Sequence, residues 1–415
     1  MDISGATIVL KWNEWLLDFL GLWPLNLNNA KFSFFFIYII IQCFLQYAAL
    51  VDNIFDLSYV VANLTETVVF CMIVLKLVIY RINMKRLHEL IRIIKEDYSH
   101  ELYKTAKERM IFMKYNSLSR MIVQCFSILC VCAAVLFYIQ PLICYLLAYR
   151  DSTGNSSSAF VLPYHIRLFF NLTEARTYYI IYACEILIIP MSACGYVGPS
   201  CLLITLVLHI CGQLSILATQ VECMTYDPKT IQQQLKQIVI KHSHLISLCA
   251  TLNSTYSIFL LQEVIGITVL LCLGSYNITV NHVLEETGEF LTFSCYVFTV
   301  FVQLLGFCYM GECLVNESIN LCDAFYNYEW YNASAVHRKL LLMCLIRSQR
   351  PLVLTAGKFF TFSLENFTSV TRNLLINFSP VLFFNQLALQ TFLFAGYENI
   401  NGLFVGTSKI HIKQS

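Results

Sequence analysis

The sequence predicts an all-α membrane protein with seven transmembrane helices, a cytoplasmic N-terminus and an extracellular C-terminus. Three observations predict this fold class. First, 58% of the 415 residues are hydrophobic and only 13% are charged, whereas a soluble domain carries roughly 25% charged residues. Second, apolar segments of about 20 residues recur, and this length crosses about 30 Å of hydrocarbon as a helix. Third, the basic residues are concentrated in a few connections, as the positive-inside rule describes.

Residues 1–31 are the first predicted element, a cytoplasmic amphipathic segment. They lack the basic start and the small-residue cleavage site of a signal peptide. Trp12, Trp15 and Phe19 recur at helical spacing beside charged residues, which is typical of an amphipathic helix on the membrane surface. A helix that simply packs on the rest of the protein fits the same spacing equally well.

Residues 32–384 contain the seven predicted spans and form one domain with helical extensions in the cytoplasm. The spans are 32–51, 57–80, 121–149, 178–211, 256–278, 290–310 and 355–381. The last of them is only marginally apolar. Residues 385–415 are predicted to form an atypical C-terminal tail, because their apolar stretch 387–394 is too short to span a bilayer.

The positions of Lys and Arg determine the predicted orientation. The connection 81–120 holds ten of them, whereas the connections after the first and fifth spans hold acidic residues and no Lys or Arg. Basic connections stay in the cytoplasm, so the N-terminus is expected inside and the C-terminus outside. A G-protein-coupled receptor has the opposite orientation, which disfavours that class without removing it as an alternative.

The chain shows no catalytic or metal-binding pattern. Its eighteen cysteines have no zinc-like spacing, and the predicted outer loops contain none of them, so neither a metal centre nor a disulfide framework is indicated. No HExxH motif and no Ser/His/Asp arrangement is present. We therefore expect no enzymatic activity and no cofactor. The net charge of +1 gives no support for a nucleic-acid partner, and the expected surroundings are a lipid bilayer.

The seventh predicted span carries a polar stripe. Lys358, Glu365 and Arg372 are seven residues apart, which places them within about 40° of one another on an α-helix, and Ser369 lies near the same line. An ionised group at the bilayer centre costs about 2.5 to 3.5 kcal/mol, so the stripe must face water or polar partners. Two interpretations stay open. In the first, several subunits use this polar stripe to line a shared aqueous pore. In the second, the stripe packs within its own helical bundle, with Glu365 paired to Arg372 or to Lys76.

The same region resembles a known family. The segment TAGKFFTFSLENFTSV, preceded by LIRSQRP, resembles the C-terminal signature of insect odorant receptors, in the style of ants, bees and wasps. The resemblance implies an odour-gated, non-selective cation channel, a hetero-oligomer (a tetramer) in which an odour-tuning subunit joins a common co-receptor. It also implies a location in the cell membrane of olfactory sensory dendrites. A gustatory-type chemoreceptor is the nearest alternative, and a G-protein-coupled receptor is a more distant one.

The resemblance also implies roles for individual residues. In that family the last helix lines the pore. The residues of this chain at the matching positions are Glu365, Ser369, Arg372, Asn373, Ile376 and Pro380. The chain departs from the family at the expected constriction, where it has the residues 377–380 in place of a Tyr-Phe pair and a branched apolar residue. The helix around 340–346 and the cytoplasmic ends of spans four to six are expected to contact neighbouring subunits.

A ligand pocket is implied in the outer half of the bundle, between the second, third, fourth and sixth spans. It suits a small volatile or hydrophobic ligand. The candidates from this sequence are Asn63, Glu66, Thr67, Phe70, Tyr138, Pro141, Tyr145, Tyr178, Tyr182, Glu185, Phe293 and Tyr296. Each of them is also suited to helix packing. Glu66 and Glu185 stand apart, because an acid within the membrane requires a partner.

Overall fold

The computed structural model describes residues 7–98, 103, 105–151, 162–168, 175–224, 231–283, 287–332 and 334–382. The side chains of 144–151, 175, 280–283, 287, 332 and 374–382 are outside this description. The elements are α1 (Thr7–Phe19), α2 (Asn29–Asp52), α3 (Leu57–Ile82), α4 (Met84–Glu96), α5 (Ala106–Asp151), α6 (Ala175–Glu185), α7 (Ile188–Glu222), α8 (Ile231–Val283), α9 (Thr287–Asn327), a 3₁₀ turn (Trp330–Asn332), α10 (Ala335–Ser348), β1 (Thr355–Ala356), β2 (Phe360–Thr361) and α11 (Leu364–Leu382).

Six segments within the described part of the chain are long and apolar enough to cross a membrane. They are Asn29–Asp52, Leu57–Ile82, Ala106–Ile143, Arg176–Glu222, Ile231–Thr279 and Gly288–Asn327, and they match the first six predicted spans in order. The helices α8 and α9 extend well beyond the predicted spans 256–278 and 290–310. The fourth span is interrupted at 186–187, just before Pro190, whose ring lacks an N–H donor and disfavours a continuous helix.

The core of the bundle is α7. In the most apolar 18-residue stretch of this span, 94% of the residues are buried inside the protein, compared with 22% in the corresponding stretch of α2. The helix is apolar on all sides, and such a helix is stable only when other elements surround it. It contacts α1, α3, α5, α8 and α9, so any side chain on α7 is held by several neighbours at once.

The helix α1 packs against α5 and α7. Asn13 is fully buried there, and its Nδ2 donates to Thr205 Oγ1 of α7 at 2.8 Å. Leu16 and Leu17 are buried on the same side, whereas Trp15 is 60% exposed. One side of α1 therefore packs on the bundle, and the placement of this segment on the membrane surface stays a prediction.

The seventh predicted span starts differently from the prediction. Residues 355–361 form a hairpin in which Thr355 pairs with Thr361 and Ala356 pairs with Phe360, and the helix α11 begins only at Leu364. Gly357 and Lys358 both have positive φ, at 56° and 65°, a left-handed conformation that reverses the chain and ends any helix. The prediction that Lys358 shares a helical face with Glu365 is therefore wrong.

The first compact unit of the structure ends at Asn366, within the first turn of α11, and a second unit begins at Phe367. The first unit contains α1 to α10 and the hairpin. Of the second unit, the structure describes the helical residues 367–382. The hairpin and the start of α11 thus belong to the same unit as the helical bundle.

Candidate binding cavity

A cavity of about 110 Å³ lies between α3, α5, α7 and α9, beside the loop 162–168. Its wall is made of Thr65, Glu66, Val69, Phe70, Cys130, Ala133, Ala134, Phe137, Tyr164, Ser192, Ala193, Tyr196, Tyr296, Thr299 and Val300. On α5 the lining residues follow a spacing of three and four, which places them on one side of that helix. Small side chains create the space, because Ala133 and Ala193 face it where longer residues would fill it.

The wall is mostly apolar and aromatic, with a few polar groups. The ring of Phe137 meets the rings of Phe293 and Tyr296 edge to face, with centroids 5.5 and 5.7 Å apart. The hydroxyl of Tyr296 is buried and has no hydrogen-bond partner among the described residues. A concave apolar wall with a few polar groups of this kind is typical of sites for small molecules.

The loop 162–168 is fastened to α3 by an acid that also lines the cavity. Glu66 accepts a hydrogen bond from the backbone N–H of His165 at 3.1 Å, and its other oxygen lies 2.8 Å from His165 Nδ1. Asn63 Nδ2 donates to the backbone oxygen of the same histidine at 3.0 Å. Glu66 therefore has the partner that a buried acid requires, and that partner comes from a loop.

The pKa of His165 reflects this arrangement. Burial lowers the pKa of the imidazole, but the charge and hydrogen bond of Glu66, together with the charge of Glu289, outweigh burial and raise it above its ordinary value. The protonated imidazole is thus favoured where the loop meets Glu66.

A fully buried ion pair lies next to the cavity. Lys76 Nζ of α3 and Glu263 Oε1 of α8 are 2.6 Å apart, and both side chains have zero exposure. Gln303 Nε2 donates to the other oxygen of Glu263 at 3.2 Å, and the hydroxyl of Tyr196 donates to Gln303 Oε1 at 2.6 Å. Because Tyr196 also lines the cavity, this network begins at the cavity wall.

Residues 56–375 match the model of the 7tm odorant receptor family. This match covers more than half of the chain. The chain belongs to the odorant receptor family. It is therefore a multi-pass membrane protein of this family.

Individual relatives support the family assignment. The receptor is 31% identical to odorant receptor 22c of Drosophila melanogaster over 140 residues, which is 34% of each chain. It is 29% identical to the odorant receptor coreceptor of Aedes aegypti over 140 residues, which is 34% of this chain and 29% of the coreceptor. The chain thus spans about a third of the length of these relatives.

A solved structure shows that the fold extends over nearly the whole chain. The insect olfactory receptor OR5 from Machilis hrabei superposes with a TM-score of 0.76 at 17% identity, covering 92% of this chain and 99% of OR5. The structure of OR5 in complex with eugenol gives a TM-score of 0.74. The prediction of an insect odorant receptor fold is confirmed.

The structure of the odorant receptor brings only some of the candidate ligand residues to the cavity. Glu66, Phe70 and Tyr296 line it. Phe293 lies behind them against Phe137. Sequence reasoning missed Phe137, Tyr164 and Tyr196, along with the small residues that create the space.

The other candidates are engaged in packing or lie outside the description. Thr67 donates to Asn63 Oδ1 at 3.0 Å, and the hydroxyls of Tyr138 and Tyr182 each donate to the other's backbone oxygen. Buried residues away from the cavity lining are Pro141, Tyr178 and Glu185. The carboxylate oxygens of Glu185 have no hydrogen-bond partner among the described residues. The side chain of Tyr145 lies outside the described residues.

The side chains predicted to line a pore lie on α11. Those that the structure describes are all exposed, namely Glu365, Ser369, Arg372 and Asn373. The side chains of Ile376 and Pro380 lie outside the described residues. The alternative in which Glu365 pairs with Lys76 is wrong, because the acid beside Lys76 is Glu263 of α8.

Proposed function

We propose that this odorant receptor is the odour-tuning subunit of a ligand-gated, non-selective cation channel. It assembles with the common co-receptor as a heterotetramer in the cell membrane of olfactory sensory dendrites. The observation that carries the proposal is the cavity between α3, α5, α7 and α9. A receptor that detects small volatile molecules within a membrane needs such a concave, largely apolar site.

The proposed ligand is a small volatile molecule with an apolar body and one hydrogen-bonding group. The cavity of about 110 Å³ is somewhat smaller than the roughly 150 Å³ apolar cavity that accepts benzene, so small side-chain movements admit a single-ring compound. The buried hydroxyl of Tyr296 supplies a polar contact. The OR5 receptor, which shares the fold, has been solved in complex with eugenol.

The ion pathway is proposed to run along α11. Glu365, Ser369 and Arg372 are spaced by four and three residues on one side of this helix, Asn373 follows Arg372 directly, and all four are exposed. A polar face on a membrane helix is stable where it meets water, and several subunits that present it to a common axis enclose that water. The shared axis also accounts for the need of more than one subunit.

The orientation and the partner complete the proposal. The connection 81–120, with its ten basic residues, is proposed to lie in the cytoplasm together with the N-terminus. The helix α10 exposes 53% of Leu342, 56% of Met343 and 57% of Ile346, and an apolar surface of this kind marks a protein interface. The match to the Aedes aegypti coreceptor supports a related chain as the partner at this surface.

The decisive experiment co-expresses this chain with the co-receptor and records currents during exposure to a broad panel of volatile compounds. We expect a cation current that persists when G-protein signalling is blocked. An N-terminal epitope tag should be accessible to antibody only after permeabilisation. No current with any compound, despite delivery of both chains to the cell surface, contradicts the proposal.

The variant Ala193→Phe tests whether the cavity is the ligand site. Ala193 lines the cavity on α7, whereas Ala218 is a buried alanine on the same helix away from it. We expect Ala193→Phe to occupy the cavity, so that the half-maximal agonist concentration rises at least about tenfold, a change of about 1.4 kcal/mol. Ala218→Phe overpacks the core at a typical cost of 1–3 kcal/mol, so it should lower delivery and leave the agonist sensitivity of the delivered receptor unchanged. Equal sensitivity in both variants contradicts the cavity assignment.

A further inference from the structure

We infer that the buried pair Lys76–Glu263, with Gln303, is a positioning element that couples the cavity wall to the hairpin at the start of α11. The inference rests on the proposed function, in which the cavity binds the odour and α11 lines the pore. Two ionised groups inside a bundle carry a desolvation penalty, and an apolar pair of similar volume is often at least as stable. Stability alone therefore does not account for this pair, and its geometry has to be considered.

The cavity end of this element is Tyr196. Its ring lines the cavity, and Lys76 Nζ lies 3.5 Å from the ring centroid while donating to the backbone oxygen of Tyr196 at 3.1 Å. Its hydroxyl donates to Gln303 on α9, which in turn donates to Glu263 on α8. A molecule in the cavity that displaces the Tyr196 ring must therefore shift contacts to α3, α8 and α9 together.

The same helix α8 holds one arm of the hairpin. Asn253 Oδ1 accepts the backbone N–H of Thr355 at 2.9 Å, and Ser257 Oγ accepts the backbone N–H of Gly357 at 3.1 Å. Ser257 precedes Glu263 by six residues, which is about 9 Å along a helix. A movement of Glu263 along the axis of α8 thus reaches the hairpin through less than two helical turns.

The helix α9 holds the other arm. Glu312 Oε2 accepts the backbone N–H of Leu364, the first residue of α11, at 3.2 Å. Gly311 lies so close to the backbone of Phe362 that a Cβ at this position would collide with its carbonyl oxygen. Gln303 precedes Glu312 by nine residues, about 13 Å of continuous helix. The two helices bridged by Glu263 and Gln303 are therefore the two that fix the hairpin.

This geometry gives the ion pair a role that an apolar pair cannot fill. The pair and its hydrogen bonds join α3, α8 and α9 through named atoms at short, directional distances, whereas apolar contacts are non-directional. Occupation of the cavity is then transmitted to the first turn of α11 as a coordinated displacement of α8 and α9. Coupling of this kind requires a direct measurement at both ends.

The first test measures hydrogen exchange in the complete chain, co-expressed with the co-receptor and placed in lipid nanodiscs. The variants are the double substitution Lys76→Met with Glu263→Leu, and the single substitution Gln303→Met. We expect backbone amides of peptides covering 352–364 to exchange at least tenfold faster in both. The control Tyr115→Phe removes a hydrogen bond between α5 and α9, from the Tyr115 hydroxyl to Glu317 at 2.6 Å. This bond is as long as the one from Tyr196 to Gln303. The control should change the hairpin exchange less than twofold.

The second test separates coupling from binding. With the panel compound that gives the largest wild-type current, Gln303→Met should lower the maximal current at least fivefold and shift the half-maximal concentration less than threefold, since Gln303 does not line the cavity. Unchanged hairpin exchange in the Gln303→Met variant overturns the inference even if the double variant fails to fold. Faster hairpin exchange combined with a wild-type chain that never conducts supports the coupling and contradicts the proposed function.

Discussion

Tyr296 is the residue that gives the cavity its chemical selectivity in this proposal. Its hydroxyl is buried in the wall and lacks a hydrogen-bond partner among the described residues. A buried donor without a partner costs about 1–3 kcal/mol, and a ligand with an acceptor group removes that cost on binding. In this proposal the cavity therefore favours ligands that carry an oxygen or a similar acceptor.

The variant Tyr296→Phe tests this selectivity. We expect the half-maximal concentration to rise about five- to thirtyfold for agonists with an acceptor group, equivalent to about 1–2 kcal/mol. For purely hydrocarbon agonists it should fall or stay constant, because the unsatisfied hydroxyl is gone. Dose–response currents for matched alcohol, ether and hydrocarbon pairs measure the effect. An equal shift for all three classes would show that the hydroxyl does not meet the ligand.

His165 makes the loop beside the cavity sensitive to pH. Its pKa is raised in the folded protein, where Glu66 and Glu289 outweigh burial. Its contribution to stability is therefore complete below the unfolded pKa of about 6.5 and is lost as the pH rises through the higher folded pKa. We expect the melting temperature of wild type to exceed that of His165→Asn at about pH 5.5, with the difference shrinking at alkaline pH.

The exposed His244 of α8 provides a matched control for this measurement. The variant His244→Asn should follow the wild-type melting temperature across the same pH range. A wild-type advantage over His165→Asn that grows with rising pH would mean that the neutral imidazole, and not the imidazolium, is the form stabilised by Glu66.

At this scale the sequence identified residue types better than positions. Tyr138 was a candidate and Phe137 was not, yet Phe137 lines the cavity while Tyr138 bonds to Tyr182. One residue is 100° of rotation on a helix, and the rotation of α5 is determined by its contacts with α7 and α9. Long-range contacts of this kind leave no trace in local spacing. Glu263 was detectable, because an acid inside an apolar span requires a partner.

The hairpin before α11 is the element whose conformation depends most on single residues. Gly357 has φ of 56°, and a Cβ there would lie 2.8 Å from Leu261 Cδ2. The neighbouring Lys358 adopts φ of 65° despite having a side chain. A left-handed residue other than glycine costs roughly 1–2 kcal/mol. Exchanging glycine and a larger residue at these adjacent positions should therefore change the stability of the hairpin in opposite directions.

We expect Gly357→Ala to destabilise the hairpin by about 1–2 kcal/mol and Lys358→Gly to relieve part of the existing strain. Hydrogen exchange of residues 352–364 should accelerate about five- to thirtyfold in the first variant and slow in the second. The pair of variants controls for general effects of substitution at the turn. Acceleration in both would show that the Lys358 side chain, and not backbone conformation, holds the turn.

The six long helices were predictable because length and hydropathy alone define a membrane span. The start of α11 was not predicted correctly, because the seven-residue spacing of Lys358, Glu365 and Arg372 was extended across a turn. Gly357 was the available signal, since glycine often marks a chain reversal. The spacing remains valid from Glu365 onward, where the residues are helical.

For the whole molecule, the exposed side of α11 links this single chain to a multi-subunit channel. Its described polar residues extend from Glu365 to Asn373, about 12 Å of helix. Charges that line a water-filled path alter the local concentration of permeating ions, whereas charges on an outer surface act weakly through bulk solvent. The two locations therefore differ in how strongly neutralisation changes ion selectivity.

We expect Glu365→Gln to lower the permeability of Ca²⁺ relative to Na⁺, because a negative charge that attracts divalent cations is lost. Arg372→Gln should raise this ratio, since a repelling positive charge is removed. Reversal potentials in the complex with the co-receptor measure both changes. The matched controls Glu96→Gln and Arg92→Gln neutralise an exposed pair on α4 and should leave the ratio unchanged. Shifts of the same sign in the two α11 variants, or none in either, would place this face of the helix away from the ion path, because opposite charges at one pore wall must act in opposite directions.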